Sequence, residues 1–298
     1  MSISIKKLQL FEATARLGKL TKAASELSLS QSAASQALKE LEQSLGYPLF
    51  ERTGRDLLIT ENGLKSLPKV RQISDLLDSL KLANLNTMSG VLRVVASATI
   101  ATYLLPQLIA KFVKIYPDVT PEIHIGNTQM VIDYLDKGKA SIGLIEGPAV
   151  HRHLQITPWQ VDKLQIFCSP KHSLAKKATI NLEQLQQHSW VLREHGSGTR
   201  AIFDAAIEQL GAQISLGIEL TRQSAIKESV KAGLGLGCLS QLSIAEELNN
   251  GGLIALNSPL NLSRRFALVT NKNSYHNSLA QTFIDFLMAE PCSKSDLR

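Results

Sequence analysis

The chain has 298 residues, 44% hydrophobic and 19% charged, which excludes a disordered polypeptide and calls for two or three domains. Its net charge of +6 and pI near 9.2 favour polyanionic partners, yet the excess is too modest to indicate nucleic acid without a motif. Three scattered cysteines, Cys168, Cys238 and Cys292, exclude a disulfide framework and a C-x-x-C zinc site, and no apolar run suits an export signal or a membrane span. These absences predict a cytoplasmic protein without a membrane segment, a bound metal or a cofactor. Cys168 and Cys238 read as small core residues, with a redox-sensing pair as the alternative.

The first 60 residues predict short helices followed by a small wing. Leu8, Phe11 and Leu17 recur at helical spacing, and Gly18 supplies a stop. A second helix opens at Leu20 or Thr21 and carries Ala23, Ala24 and Leu27. After a turn at Ser28, Leu29 and Ser30, the Ser30 hydroxyl suits the N-cap of a third helix bearing Ala34, Leu38, Leu41 and Leu45 and ending at Gly46. Leu49, Phe50 and residues 57–59 form two strands around Thr53, Gly54 and Arg55. Small residues on the facing sides of helices two and three allow the close crossing of a helix-turn-helix. The third helix then presents Gln31, Ser32, Ser35, Gln36 and Lys39 to a major groove, N-terminus first. Glutamine pairs with adenine and serine with any base or a phosphate, while Lys22, Arg52 and Arg55 are placed for phosphates or the minor groove.

Residues 61–88 predict a long linker helix. Val70, Ile73, Leu77 and Leu80 step by three, four and three, an a/d seam for a second helix alongside. The alternative is an amphipathic helix packed on its own domain. Pro68 predicts a kink, or a straight part that starts near it. From residue 89 the texture becomes α/β. Strands at 92–96, 122–126 and 141–145 alternate with helices near 101–116 and 128–137, which predicts a parallel sheet. A second series has strands at 164–168, 190–193, 214–220 and 236–239 and helices near 181–187, 199–210 and 223–232. A strand at 265–270 and a helix near 278–288 return to the first lobe. The predicted lobes are about 91–161 with 265–290, and about 162–264.

In such folds ligands sit beyond strand C-termini, at helix N-termini. Ser97 and Thr99 follow the first strand, and Thr128 and Gln129 the second. Gly196, Ser197, Thr199 and Arg200 follow the strand at 190–193, and Gln223 follows the one at 214–220. The loop Gly196-Ser-Gly-Thr-Arg200 aims backbone donors and a cation at one point, as an anion site does, with ordinary capping and a solvated Arg200 as the alternative. It lacks the lysine of a P-loop. Glu146, Gly147, Pro148, Pro158 and Arg222 read as loop and hinge residues, with a place on the border of the cleft as the alternative. Gly233, Gly235 and Gly237 do not complete a dinucleotide fingerprint. His151 and His153 share an exposed loop, and His195 borders the glycine loop. No G-x-S-x-G elbow and no helical H-x-x-x-H pair occurs, so no catalytic residue is assigned.

Ala23-Ala24-x-x-Leu27, Leu29-Ser-Gln-Ser-Ala33, Leu38-x-x-Leu41-Glu42, Leu45-Gly46, Leu49-Phe50-Glu-Arg52 and Leu58-x-Thr60-x-x-Gly63 resemble the LysR-type transcriptional regulators in order and spacing. The downstream portion is similar in length and layout. Ser32 stands where many members have proline, and Ala34 where many have a larger apolar residue. The resemblance implies an α + α/β chain: a winged helix-turn-helix, a long linker helix that pairs subunits, and a two-lobed α/β effector domain resembling periplasmic binding proteins. It implies promoter DNA as partner, often with a T-N-A palindrome, a small-molecule effector between the lobes, a homo-oligomer built as a dimer of dimers, and RNA polymerase as a further candidate partner. From the loops, a small carboxylate or inorganic oxyanion is the expected effector. The competing reading is an anion-binding protein or enzyme on the α/β lobes with incidental DNA affinity.

Overall fold

The computed structural model describes residues 3–53, 56–82, 88–177, 179–272 and 278–290. Arg55, His276 and Cys292 lie outside them, as do the side chains of Arg52 and Leu80. The head consists of α1 (Ile5–Leu17), α2 (Leu20–Glu26), α3 (Gln31–Leu45) and the antiparallel wing of β1 (Phe50–Thr53) and β2 (Asp56–Ile59). Gly18 and Gly46 stop α1 and α3 in the left-handed conformation, at φ 67° and 79°. The head's core is Leu10, Phe11, Ala23, Ala24, Ala34, Leu41 and Leu49, with Phe11 set edge-on to Phe50.

The linker helix α4 (Glu61–Leu82) runs through Pro68. Leu67 and Val70 are buried in the head core, so the first member of the predicted seam serves its own domain, whereas Ile73 is exposed. Arg71 ties three parts together. Its Nε lies 3.3 Å from Glu12 Oε1 of α1, and its Nη1 donates to the Gly138 carbonyl at 3.2 Å. A Cβ at Gly138 would collide with the Pro68 ring, so α4 and the α/β part touch there.

The α/β part runs β3 (Gly90–Ser97), α5 (Ala98–Tyr103), α6 (Leu105–Ile115), β4 (Val119–Gly126), α7 (Thr128–Asp136), β5 (Ile142–Glu146) and β6 (Leu154–Cys168). It continues with α8 (Leu182–Gln187), β7 (Ser189–Arg193), α9 (Gly198–Gln209), β8 (Ser215–Leu220), α10 (Gln223–Lys231), β9 (Leu236–Ser240), α11 (Gln241–Asn249), β10 (Ile254–Leu256), β11 (Ser263–Asn271) and α12 (Ser278–Ala289). The strand order is β4-β3-β5-β11-β6-β9-β7-β8, with β10 beside β6. β3, β4 and β5 pair in parallel, as do β7, β8 and β9, while β11 and β6 run antiparallel to their neighbours. β6 pairs with β11 up to Lys163 and with β9 from Leu164, so one strand passes from the first lobe into the second. β11 returns alongside it. One core gathers Val94, Ile100, Phe112, Leu144, Phe266 and Phe283; another gathers Ile166, Leu185, Trp190, Phe203 and Leu236.

Several sequence expectations need correction. The helix expected near 101–116 is two, α5 and α6. Pro106 in the first turn of α6 cannot donate to the preceding turn, and the chain restarts there. The strand expected from position 164 begins ten residues earlier, at Leu154, and Pro158 inside β6 hid the extension. Pairing with β11 slips register next to it, as a residue without an N–H requires. Helix α11 and strand β10 were not expected. Ser240 ends β9 and caps α11 at once, its hydroxyl accepting from Leu242 N–H, so no loop signal separates the two elements.

Candidate DNA-reading face and interlobe site

The head displays its predicted reading residues together. Ser30 caps α3, its hydroxyl accepting from Ala33 N–H at 3.1 Å. Gln31, Ser32, Gln36 and Lys39 are exposed and Ser35 half-buried over the first turns of α3, and Lys22 is exposed on α2. Ser32 lies 3.1 Å from Ser30, oxygen to oxygen, and Gln36 Nε2 donates to Glu40 at 2.9 Å, so both are pre-positioned by local bonds. Glu42 has a role that sequence reading missed. Its carboxylate accepts from Leu49 and Phe50 N–H at 2.8 and 3.1 Å and clamps the wing onto α3. Arg52 lies in β1; its side chain, like Arg55, falls outside the described residues.

In the α/β part the residues predicted for an effector do not form one open site. Ser97, Thr99, Thr128, Thr199 and Gln223 are buried and gather around Glu146, the residue read as loop and hinge. Glu146 closes β5 and points inward. Its Oε1 accepts Thr99 N–H at 2.8 Å, and its Oε2 accepts Arg264 Nη1 at 2.7 Å and the Thr199 hydroxyl at 3.2 Å. Arg264 Nε donates to Asp162 at 2.6 Å, whose other oxygen accepts the Ser240 hydroxyl at 2.8 Å. Gln223 Nε2 donates to Thr99 Oγ1 at 2.8 Å, and Thr128 donates to the Glu146 carbonyl at 2.9 Å. The Ser97 hydroxyl is buried beside the same carboxylate and helps to hold it ionised. Burial pushes the Glu146 carboxyl up, but Arg264 and the donors around it outweigh this and hold it below the ordinary glutamate value. Asp162 is raised, because burial there outweighs the pull of the same Arg264.

Arg200 requires the clearest correction. It is neither a free anion donor nor solvated. Its Nε donates to Asp204 at 2.8 Å, and its Nη1 to Glu219 at 3.1 Å and to the Arg193 carbonyl at 3.0 Å. Two carboxylates already satisfy its charge. Gly196 likewise turns its carbonyl toward the other lobe, where it accepts Gln129 N–H at 3.1 Å, and Ser197 N–H donates to the Glu194 carbonyl. Gly198 is needed for close approach: a Cβ there would collide with the carbonyl oxygen of Glu146.

Two cavities flank this bridge. The first, about 590 Å³, lies between Ala98, Tyr103, Ile125 and Met130 of one lobe and Arg193, Glu194, Arg222, Gln223 and Lys227 of the other. Arg193 makes a two-bond fork to Glu194, at 2.8 and 3.0 Å, and Asn127 Nδ2 reaches the same carboxylate from the first lobe at 3.1 Å. Burial raises Glu194, and these bonds more than reverse it. Lys227 pairs with Glu247 at 2.6 Å, whereas Arg222, exposed at the N-cap of α10, has no ion pair among the described residues. The second cavity, about 430 Å³, is lined by Thr128, Gln129, Gly196, Ser197 and Arg200 together with Pro148, His151 and His195. Ser97, Thr99 and Thr199 line neither and belong to the bridge between them. Among the described residues no group of three His, Cys, Asp or Glu is arranged to hold a metal ion, and no helix is long and apolar enough to cross a membrane.

Comparison with known proteins fits this architecture. Residues 5–64 match the bacterial regulatory helix-turn-helix family of LysR type, and residues 86–291 match the LysR substrate binding domain. The chain is 35% identical over 288 residues to the HTH-type transcriptional regulator YeiE of Escherichia coli, whose function is uncharacterized, covering 96% of this chain and 97% of that one. Full-length OxyR from Pseudomonas aeruginosa superposes with a TM-score of 0.77 at 21% identity, covering 100% of this chain and 95% of that one. The effector binding domain of QuiR, solved with shikimate, superposes with a TM-score of 0.63 at 20% identity, covering 67% of this chain and 96% of that one. The matched helix-turn-helix family is regulatory and YeiE is named a transcriptional regulator, not an enzyme, which removes the catalytic reading of the lobes. The chain belongs to the LysR family of transcriptional regulators, joining a winged helix-turn-helix DNA reader to a two-lobed effector-binding domain.

Proposed function

We propose that the protein is a cytoplasmic promoter-binding regulator, assembled as a dimer of dimers, whose effector is a small organic anion seated in the 590 Å³ cavity between the lobes. The observation that carries the effector reading is Arg222. It stands exposed on that cavity, without an acidic partner among the described residues, where the N–H groups of α10 begin. A cation and a helix N-terminus favour an anion together. The opposite wall of Tyr103, Ile125 and Met130 is apolar and suits a carbon body better than a bare oxyanion. QuiR, of the same fold, was solved with shikimate, a small organic carboxylate.

The head is read as the major-groove element through Gln31, Ser32, Ser35, Gln36 and Lys39, with Lys22, Arg52 and Arg55 supplying phosphate or minor-groove contacts. The exposed Ile73 on α4 is the surface on which a second linker helix would pack, and RNA polymerase is the partner through which a bound regulator would act. Effector binding works by differential affinity: a ligand that touches both lobes favours the arrangement in which they close on it.

The test is titration calorimetry of the full-length protein with a panel of small carboxylates and inorganic oxyanions. At a ligand concentration of about 100 times Kd, binding adds about 2.7 kcal/mol of stability, visible as a rise in Tm. Arg222→Ala removes the response of the ligand found. A panel without any binder, or a binder indifferent to Arg222→Ala, overturns this assignment.

A further inference from the structure

We propose that the Glu146 carboxylate is a built-in ligand of the bridge between the lobes: it fills, from within the chain, a donor cradle that would otherwise accept an external carboxylate. The cradle is assembled from distant parts of the chain. Thr99 N–H comes from the start of α5, the Thr199 hydroxyl from the start of α9, and Arg264 Nη1 from β11. Both carboxylate oxygens are met, at 2.8 Å on one side and at 2.7 and 3.2 Å on the other. A guanidinium, a hydroxyl and a backbone amide converging on one carboxylate is the chemistry of an anion site, already occupied.

Two further features fit an occupant rather than an incidental ion pair. The side chains of Glu146 and Arg264 are almost wholly buried, at 2% and 0% exposure, so the carboxylate is held by protein donors instead of water. The lobes also meet at this residue through the backbone: Gly198, lacking a Cβ, lets the start of α9 reach the Glu146 carbonyl. Charge then excludes a competitor. Arg264 already faces two carboxylates, Glu146 and Asp162, so a third anion would enter a cluster that is net negative. Glu146 thus closes the lobes at this point without an effector and leaves the neighbouring cavity to ligands. The inference rests on the reading that the lobes sandwich an effector only in saying where that effector does not sit.

The experiment is chemical rescue in the full-length protein. Glu146→Ala empties the cradle and leaves its donors in place, and formate, acetate and chloride are titrated while Tm is followed. The expected result is a lowered Tm that formate or acetate raises saturably and chloride does not, with no such rise in the unaltered protein. Adding Thr199→Val weakens the rescue, and adding Arg222→Ala leaves it intact. An absent effector for the cavity therefore does not touch this result. If Glu146→Ala fails to fold in chloride, refolding is compared in formate: soluble protein recovered only there supports the proposal. A folded variant indifferent to formate and acetate, no recovery in either medium, or an equal response from the unaltered protein overturns it.

Discussion

The DNA-reading head and the interlobe bridge use polar residues in opposite ways. In the head, Gln31, Ser32, Gln36 and Lys39 stand exposed on consecutive turns of one helix, and the proposed reading has them facing a partner outside the chain. In the bridge, Thr99, Glu146, Asp162, Thr199 and Arg264 are buried and satisfy one another. The hydrogen bonds that cap and order the reading turns of α3 lie close in sequence, three residues apart for Ser30 and Ala33 and four for Gln36 and Glu40. Bridge partners are 47 residues apart for Thr99 and Glu146 and 118 for Glu146 and Arg264. A reading surface can therefore be designed locally, whereas the bridge exists only once both lobes have folded.

That contrast is most easily broken at Arg264. Arg264→Met leaves Glu146 and Asp162 buried with no counter-ion, and removing one partner of a buried pair costs about 3–5 kcal/mol. Urea unfolding of the full-length protein should show this loss, and Glu146→Gln in the same chain should recover part of it, since the stranded charge is then gone. Promoter affinity at a fixed salt concentration should change far less in any fraction that stays folded, because the head has its own core. A loss below about 1 kcal/mol would mean the bridge is wet and loosely held, as surface pairs are.

Acid separates the two carboxylates of the bridge by sign. Glu146 is held below its ordinary 4.5, so its contribution is complete above that pH and is lost as pH falls through the lowered value. Asp162 is raised above its ordinary 3.8, so the cost of its ionisation disappears as pH falls through the raised value, and stability from that group falls as pH rises through the same window. Denaturant titrations between pH 3 and about 7 should therefore show a shallower acid loss in Glu146→Gln and a steeper one in Asp162→Asn. The same change in both variants would show that the two carboxyls titrate as one indistinguishable site.

How much of this the sequence disclosed follows from the same contrast. Ser30 as N-cap, Gly18 and Gly46 as stops, and Ala23, Ala24 and Ala34 as the close helix contact are local signals, and all are found as expected. The strand and helix alternation of both lobes was legible because period and turn residues are local too. Arg200 misled because its neighbours in sequence look like an anion loop, while the carboxylate that helps neutralise it, Glu219, lies 19 residues on. Glu146 was overlooked for the complementary reason. An acid before Gly147 and Pro148 looks like a loop, and only its end position on an otherwise apolar, fully buried strand hinted otherwise.

The head can be tested by the kind of effect rather than its size. Gln31→Ala should lose about 1–3 kcal/mol of discrimination at one position of each half-site and keep the salt dependence of binding. Lys22→Ala should weaken binding evenly across sequences and reduce the salt slope by roughly one, as loss of a phosphate contact does. Selection from random DNA at two salt concentrations distinguishes them. Enrichment of a two-fold symmetric site by the unaltered protein is the prerequisite, and relaxed specificity in Lys22→Ala with none in Gln31→Ala would exchange their roles.

The smallest expected effect concerns the cysteines. Cys168 and Cys238 are free thiols buried in the second lobe. Burial pushes Cys168 up to about 11 and Cys238 to about 12, against an ordinary 9.0. The reactive species is the thiolate, so at neutral pH almost none is present, and the protein around both sulfurs also blocks approach. Native protein treated with iodoacetamide and digested for mass spectrometry should carry no label on either residue, while urea-unfolded protein should be labelled on both. Hydrogen peroxide at modest excess should leave promoter affinity unchanged. Native labelling of Cys238 at the rate of a free thiol would show that the lobe opens readily, and the comparison of an exposed reading face with a buried, internally paired bridge would then fail on its second half.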